Sequence, residues 1–178
     1  LDTVKTEVIT LAKSQPINQI AGLNNLSQII GDTDSFVKIK EVERLLNQII
    51  YGDDNIYSIY LYLDDGDYII TSKNGILHLD YFRDTDWLDK YEKGFYSNLG
   101  NWEARNAPYN LNLDLKNTGN TKVVTYVYPL SSITTSARGV IVVNLHEYKF
   151  ADLINSSTSD DNNNYSFIID NEGNVISH

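Results

Sequence analysis

At 178 residues the chain has room for one domain, or one domain and part of another. Folding at this length buries roughly 70% of the unfolded surface, so neither metal nor disulfide is needed for stability. The chain has no Cys, which excludes thiolate nucleophiles, Cys-ligated zinc and disulfides, and its net charge of −10 excludes the Lys/Arg footprint that nucleic acid demands. The acidic residues are scattered (Asp53, Asp54, Asp64, Asp65, Asp160, Asp161) and read as a solvated surface.

No stretch approaches the ~20 apolar residues that span a bilayer. Leu1 is neither an initiator Met nor the start of a signal peptide, so the chain reads as a fragment of a longer protein. Its first thirty residues place Val4, Val8, Leu11, Ile17, Ile20, Leu23, Leu26, Ile29 and Ile30 mostly three or four apart, which is helical spacing. Pro16 lacks an amide donor and disfavours helix at Gln15, so two helical pieces are expected, with the break there. A further helix is marked by Asp32, Thr33, Asp34 and Ser35, any of which can cap it. Phe36, Val37, Val42, Leu45, Leu46, Ile49 and Ile50 form its apolar stripe, and Gly52 with Asp53 stops it.

The composition then changes. Residues Ile56 to Leu63 are dense in β-branched and aromatic side chains and predict a strand covered on both faces. Asp64, Asp65, Gly66 and Asp67 supply the turn into a second strand at 68–72. From Asn74 to Asn110 the pattern is irregular, with a short helix expected at about 84–91. This insert concentrates Tyr81, Phe82, Trp87, Phe95, Tyr96, Trp102 and Tyr109. Strands are expected again at 110–115, 122–130 and 139–145, followed by a short helix at 147–154, a polar linker over 156–164 and a last hairpin around Asn171, Glu172 and Gly173. The order implies an α+β domain: an antiparallel sheet with helices segregated to one side.

Few residues carry catalytic signatures. His78, His146 and His178 lack acidic partners at ligand spacing, no Ser sits in a nucleophile-elbow motif, and no Gly-rich cradle follows a strand. Neither enzyme activity, metal nor cofactor is expected. Asp84, Asp86 and Asp89 read as helix-start acids that favour the dipole. Arg83, Trp87, Trp102 and Arg105 in the insert, with Tyr126 and Tyr128 on the next strand, fit either core packing or a small-molecule pocket with aromatic walls and a guanidinium anchor.

Tyr126 through Pro129 to Leu130, then Arg138 and the Gly139-led strand to Leu145, the helix through Leu153 and Ile154, and the Phe167-to-His178 ending together resemble a double Cache sensor domain. The resemblance is closest to the extracellular regions of histidine kinases or AraC-type regulators of low-GC Gram-positive bacteria. It implies a PAS-like antiparallel sheet with long N-terminal helices packed on one side. The implied organisation is N-terminal helices at 1–51, a membrane-distal sensor domain at 52–155, and at 156–178 a linker with the opening hairpin of a membrane-proximal module.

By the same resemblance the chain is an extracytoplasmic sensing domain of a membrane-anchored two-component or related signalling protein. Its partners would be a small-molecule ligand or a solute-binding protein, with a second copy of the chain as a further partner. The ligand site implied by the aromatic insert and the family's pocket position is walled by Trp87, Trp102, Tyr109, Tyr126 and Tyr128, with Arg105 and Asn144 as polar anchors. The amino-acid-binding subgroup's pattern is met at Trp87 and Tyr109. Thr85 stands in place of its Arg, Leu88 in place of its Tyr and Asn144 in place of its Asp, so the partners for a ligand's carboxylate and ammonium are lost. The rival reading is a surface carbohydrate-binding or adhesion module with exposed aromatic rings.

Overall fold

The computed structural model describes residues 2–21, 32–64, 66–112, 119–130, 139–150, 152, 167–169, 173 and 175–177. Leu23, Leu26, Ile29, Ile30, Arg138, Leu153 and Ile154, the expected linker at 156–164 and most of the last turn lie outside the described residues. Helix α1 (Asp2–Ala12) is followed closely by α2 (Gln15–Ala21). The break falls at Lys13 and Ser14, immediately before the expected position at Gln15. Pro16 sits in the first turn of α2, where its missing N–H would have no intrahelical partner anyway.

Helix α3 (Thr33–Gly52) starts at Asp32, whose carboxylate accepts from the Ser35 amide at 3.1 Å and from the Ser35 hydroxyl at 2.7 Å. Its buried stripe is Ser35, Ile39, Val42 and Leu46, at spacings of four, three and four. Phe36 and Val37, expected on that stripe, are turned outward. They neighbour Ser35 in sequence, and consecutive helical residues point about 100° apart.

Strands β1 (Ile56–Leu63), β2 (Tyr68–Thr71), β3 (Gly75–His78), β4 (Asn101–Pro108), β5 (Asn120–Pro129) and β6 (Gly139–His146) form one antiparallel sheet in the order β3-β2-β1-β6-β5-β4. All eight residues of β1 are buried, as a strand covered on both faces requires. One face carries Ile59, Leu61, Ile70, Val124, Ile141, Val143 and Leu145 against the N-terminal helices. The opposite face carries Tyr60, Tyr62, Ile69, Val127, Val140 and Val142 beneath the insert, which supplies Phe82, Trp87, Leu88 and Leu111. The insert's helix α4 (Asp86–Glu92) therefore lies across the sheet from α1 to α3, so the helices are not all on one side.

Strands β3 and β4 fall inside the span expected to be irregular. Asn, Glu, Ala and Arg dilute the β-propensity of β4, and its eight-residue register with β5 supplies what propensity does not. Of the strand expected at 110–115, the described residues 110–112 carry an isolated bridge from Asn112 to Phe82, and 113–115 lie outside the described residues. Two short strands, β7 (Ile168–Ile169) and β8 (Val175–Ser177), pair antiparallel within the expected last hairpin. Gly100, at φ +77°, turns the chain into β4, and a Cβ there would meet the Tyr126 ring and hydroxyl.

Candidate functional site

The insert-facing side of the sheet carries a line of polar side chains in an otherwise apolar surface. Ser58 on β1, Asn144 on β6 and Thr125 on β5 are directly opposite one another across three strands. Ser58 owes its direction to a bulge: the register shifts between Ile56 and Ser58, so Tyr57 and Ser58 both turn to this face while Ile56 and Ile59 pack beneath the helices. Arg105, from β4, reaches over Thr125 toward the line. Asp84, from the insert just before α4, comes down to meet it.

The guanidinium makes four hydrogen bonds. Arg105 Nε donates to Thr125 Oγ1 at 2.8 Å, Nη2 donates to Asp84 Oδ2 at 2.7 Å and to Asn144 Oδ1 at 2.9 Å, and Nη1 donates to Asp84 Oδ1. The Arg105 and Asp84 side chains are only 8% and 1% exposed, so this is a bidentate pair in a low-dielectric setting. Thr125 Oγ1 donates to Asn144 Oδ1 at 2.7 Å, Asn144 Nδ2 donates to Ser58 Oγ at 2.9 Å, and Ser58 Oγ donates to the Tyr60 hydroxyl at 3.1 Å. Burial alone disfavours the charged guanidinium, but the Asp84 hydrogen bonds and charge outweigh it and leave Arg105 above its usual range. Tyr60 is pushed well above the ordinary tyrosine range by burial first and by the Asp84 charge second.

Beside the network, Trp87 is fully buried between the rings of Tyr60 and Tyr62, at centroid distances of 6.5 Å and 6.2 Å. Its indole N–H is buried and has no hydrogen-bond partner. Such an orphan donor is costly in a closed core and suited to an acceptor brought by a ligand. Farther along β4, Glu103 accepts from the Tyr96 hydroxyl at 3.1 Å and pairs with Lys90 of α4.

The structure divides the seven expected site residues. Trp87, Arg105 and Asn144 come together on the insert face. Trp102, Tyr126 and Tyr128 lie on the helical face, where Trp102 stacks on Tyr126 at 4.7 Å and Tyr126 on Tyr128 at 6.3 Å. The strand period of two explains the split: Trp102 alternates with Glu103 and Arg105, and Tyr126 and Tyr128 alternate with Thr125 and Val127. Tyr109 is 59% exposed at the rim, its ring 6.4 Å edge-on to Tyr57.

Sequence reasoning missed Asp84, Ser58, Thr125 and Tyr60. Asp84 was read as a helix-start acid, yet it is turned inward to Arg105, and Thr85, which precedes α4, makes no side-chain capping bond. The available signal was a small hydroxyl residue set inside a dense apolar run, Ser58 in β1 and Thr125 between Val124 and Tyr126 in β5. Among the described residues no group of three or more His, Asp or Glu is arranged to hold a metal ion, and no helix is long and apolar enough to cross a membrane.

A six-stranded antiparallel sheet with long helices on one face and an aromatic insert on the other is a PAS-like α+β fold of the Cache type. Solved structures of extracellular sensor domains share it. The sensory domain of the Campylobacter jejuni chemoreceptor Tlp3 (CcmL), with isoleucine bound, superposes with a TM-score of 0.52 at 20% identity, covering 99% of this chain and 62% of that one. The extracellular domain of the histidine kinase vpHK1S-Z8 gives a TM-score of 0.56 at 13% identity over 85% of this chain and 53% of that one. That of the histidine kinase soHK1S-Z6 gives 0.52 at 15%, over 98% and 65%. The chain thus spans less than two thirds of each of these domains. No family model and no curated protein matches it.

Proposed function

We propose that the chain is the extracytoplasmic sensing part of a membrane-anchored signalling protein, and that it binds a small solute, or a solute-loaded protein partner, on the insert face of its sheet. The observation that carries this reading is the fully buried Trp87 N–H without a partner, set beside the Arg105, Asp84 and Asn144 network under a long insert. Because Asp84 already neutralises Arg105, the site favours a neutral or weakly polar ligand that offers an acceptor to Trp87. An α-amino acid held at both charged ends does not suit it. The bound state would act on α1 to α3 through a difference in affinity between two helix arrangements, and on a membrane-proximal module opening after residue 156. The output would be a histidine kinase or AraC-type regulator, with α1 continuing from a membrane span and a homodimer as the signalling unit.

A carbohydrate-binding or adhesion module would need exposed tryptophan faces, and Trp87 is wholly buried while Trp102 packs beneath the helices. Thermal-shift screening of neutral polar solutes, with amino acids and organic acids alongside, tests the proposal. A ligand at 100 times its Kd adds about 2.7 kcal/mol of stability. The gain should disappear in Trp87→Phe and Asn144→Leu. Strong shifts that survive both substitutions would place the site elsewhere.

A further inference from the structure

Away from the insert face, α1 and the second half of α3 enclose a groove of about 390 Å³. Its floor is apolar, from Leu11, Leu45 and Ile49, and its polar lining includes Glu7, Ser14 and Gln48. Two polar atoms in this lining are buried without a hydrogen-bond partner, Glu7 Oε2 and Ser14 Oγ. The neighbouring hydroxyls do not satisfy them, because Thr6 and Thr10 spend theirs on the helix carbonyls of Asp2 and Thr6. Among the described residues no Lys or Arg lines the groove. Burial raises the Glu7 carboxyl above its ordinary pKa, and the charge of Asp53 adds to the shift. An unpaired carboxylate and a free hydroxyl above an aliphatic floor form a complementary surface for one kind of molecule.

We propose that this groove is a second ligand site, taking a small organic cation with an aliphatic body. The ammonium would lie against the Glu7 carboxylate and the Ser14 hydroxyl, with the chain along Leu11, Leu45 and Ile49. Such a ligand touches α1 and α3 at once and therefore biases how the two helices sit against each other, independently of the insert-face site.

The test is titration of the whole chain with n-hexylammonium chloride by calorimetry and by amide NMR, with hexanol and hexanoate as probes of the same length and different charge. The expected result is saturable binding of the ammonium, with amide shifts centred on Glu7, Thr10 and Gln48. Hexanol should bind about tenfold or more weakly, and hexanoate not detectably. Glu7→Gln keeps the shape and removes the charge of a partly exposed side chain, so its fold holds while affinity falls about tenfold or more. Thr10→Trp, placed to fill the groove from an outward-facing position, should abolish binding. Absence of saturable binding, equal binding of hexanol, shifts confined to the insert face, or binding that survives Thr10→Trp would each overturn the proposal. Hexylammonium binding that is intact in Trp87→Phe would separate this groove from the insert-face site, and its loss there would overturn the proposal.

Discussion

Replacing Arg105 by Leu removes the cation that pairs with Asp84 in the buried network. Asp84 is 1% exposed, so water cannot replace the two hydrogen bonds it loses, and Thr125 and Asn144 lose a donor in the same step. Breaking a buried pair from one side costs about 3–5 kcal/mol, against ~0–1 kcal/mol for an exposed one. With a urea slope of ~2 kcal/mol/M, the unfolding midpoint should fall by roughly 1.5–2.5 M. The double variant Asp84→Leu/Arg105→Leu leaves no orphan charge and should recover at least half of the loss, because the pair's Coulombic gain is offset by desolvation. Urea unfolding followed by far-UV circular dichroism measures both. A midpoint shift in Arg105→Leu equivalent to less than ~1 kcal/mol, or a double variant no more stable than the single, would show that the network is not closed as described.

Trp87→Phe deletes the unpartnered N–H and keeps an aromatic ring against Tyr60, so unliganded stability should change by less than ~1.5 kcal/mol while any ligand-induced thermal shift is lost. Stability and ligand response falling together would assign Trp87 a packing role alone. Gly100→Ala should lower the Tm by ~2–4 °C per kcal/mol of strain, with about 1–3 kcal/mol expected, because φ is +77° and the new Cβ meets a Tyr126 hydroxyl that is held at 2.7 Å on the Leu99 carbonyl. An unchanged Tm would refute that fit. Asp32 is held below its ordinary pKa first by the Ser35 hydroxyl and then by the Ser35 amide. A lowered folded pKa means the cap stabilises above the unfolded value and loses its effect as pH falls through the folded one. The Tm gap between the native chain and Asp32→Ala should therefore be full at neutral pH and close in acid, and a gap that widens in acid would contradict the capping geometry.

Patterning by itself determined the elements whose burial is uniform. Strand β1 was legible because every residue from Ile56 to Leu63 is apolar, aromatic or small, and a strand buried on both faces needs nothing more from its neighbours. The start of α3 and the resumption of strand at β5 and β6 were legible for similar local reasons, and their order was enough to give the α+β class. Strand β4 was hidden, because Asn101, Glu103, Arg105 and Asn106 have low strand propensity and become a strand only through pairing with β5. The candidate site's geometry was legible only in part. The insert's aromatic richness drew attention to Trp87, and Arg105 and Asn144 stood out as polar residues that the fold brings to the same face. Trp102, Tyr126 and Tyr128 could not be separated from them until the register showed which side of the pleat each residue takes. Asp84 lies 21 residues from Arg105, and Asn144 lies 86 from Ser58, so no local pattern records those bonds. Local periodicity specifies which residues must leave water, whereas the partner that each buried polar group finds there is set by strand order and by the bulge at Tyr57.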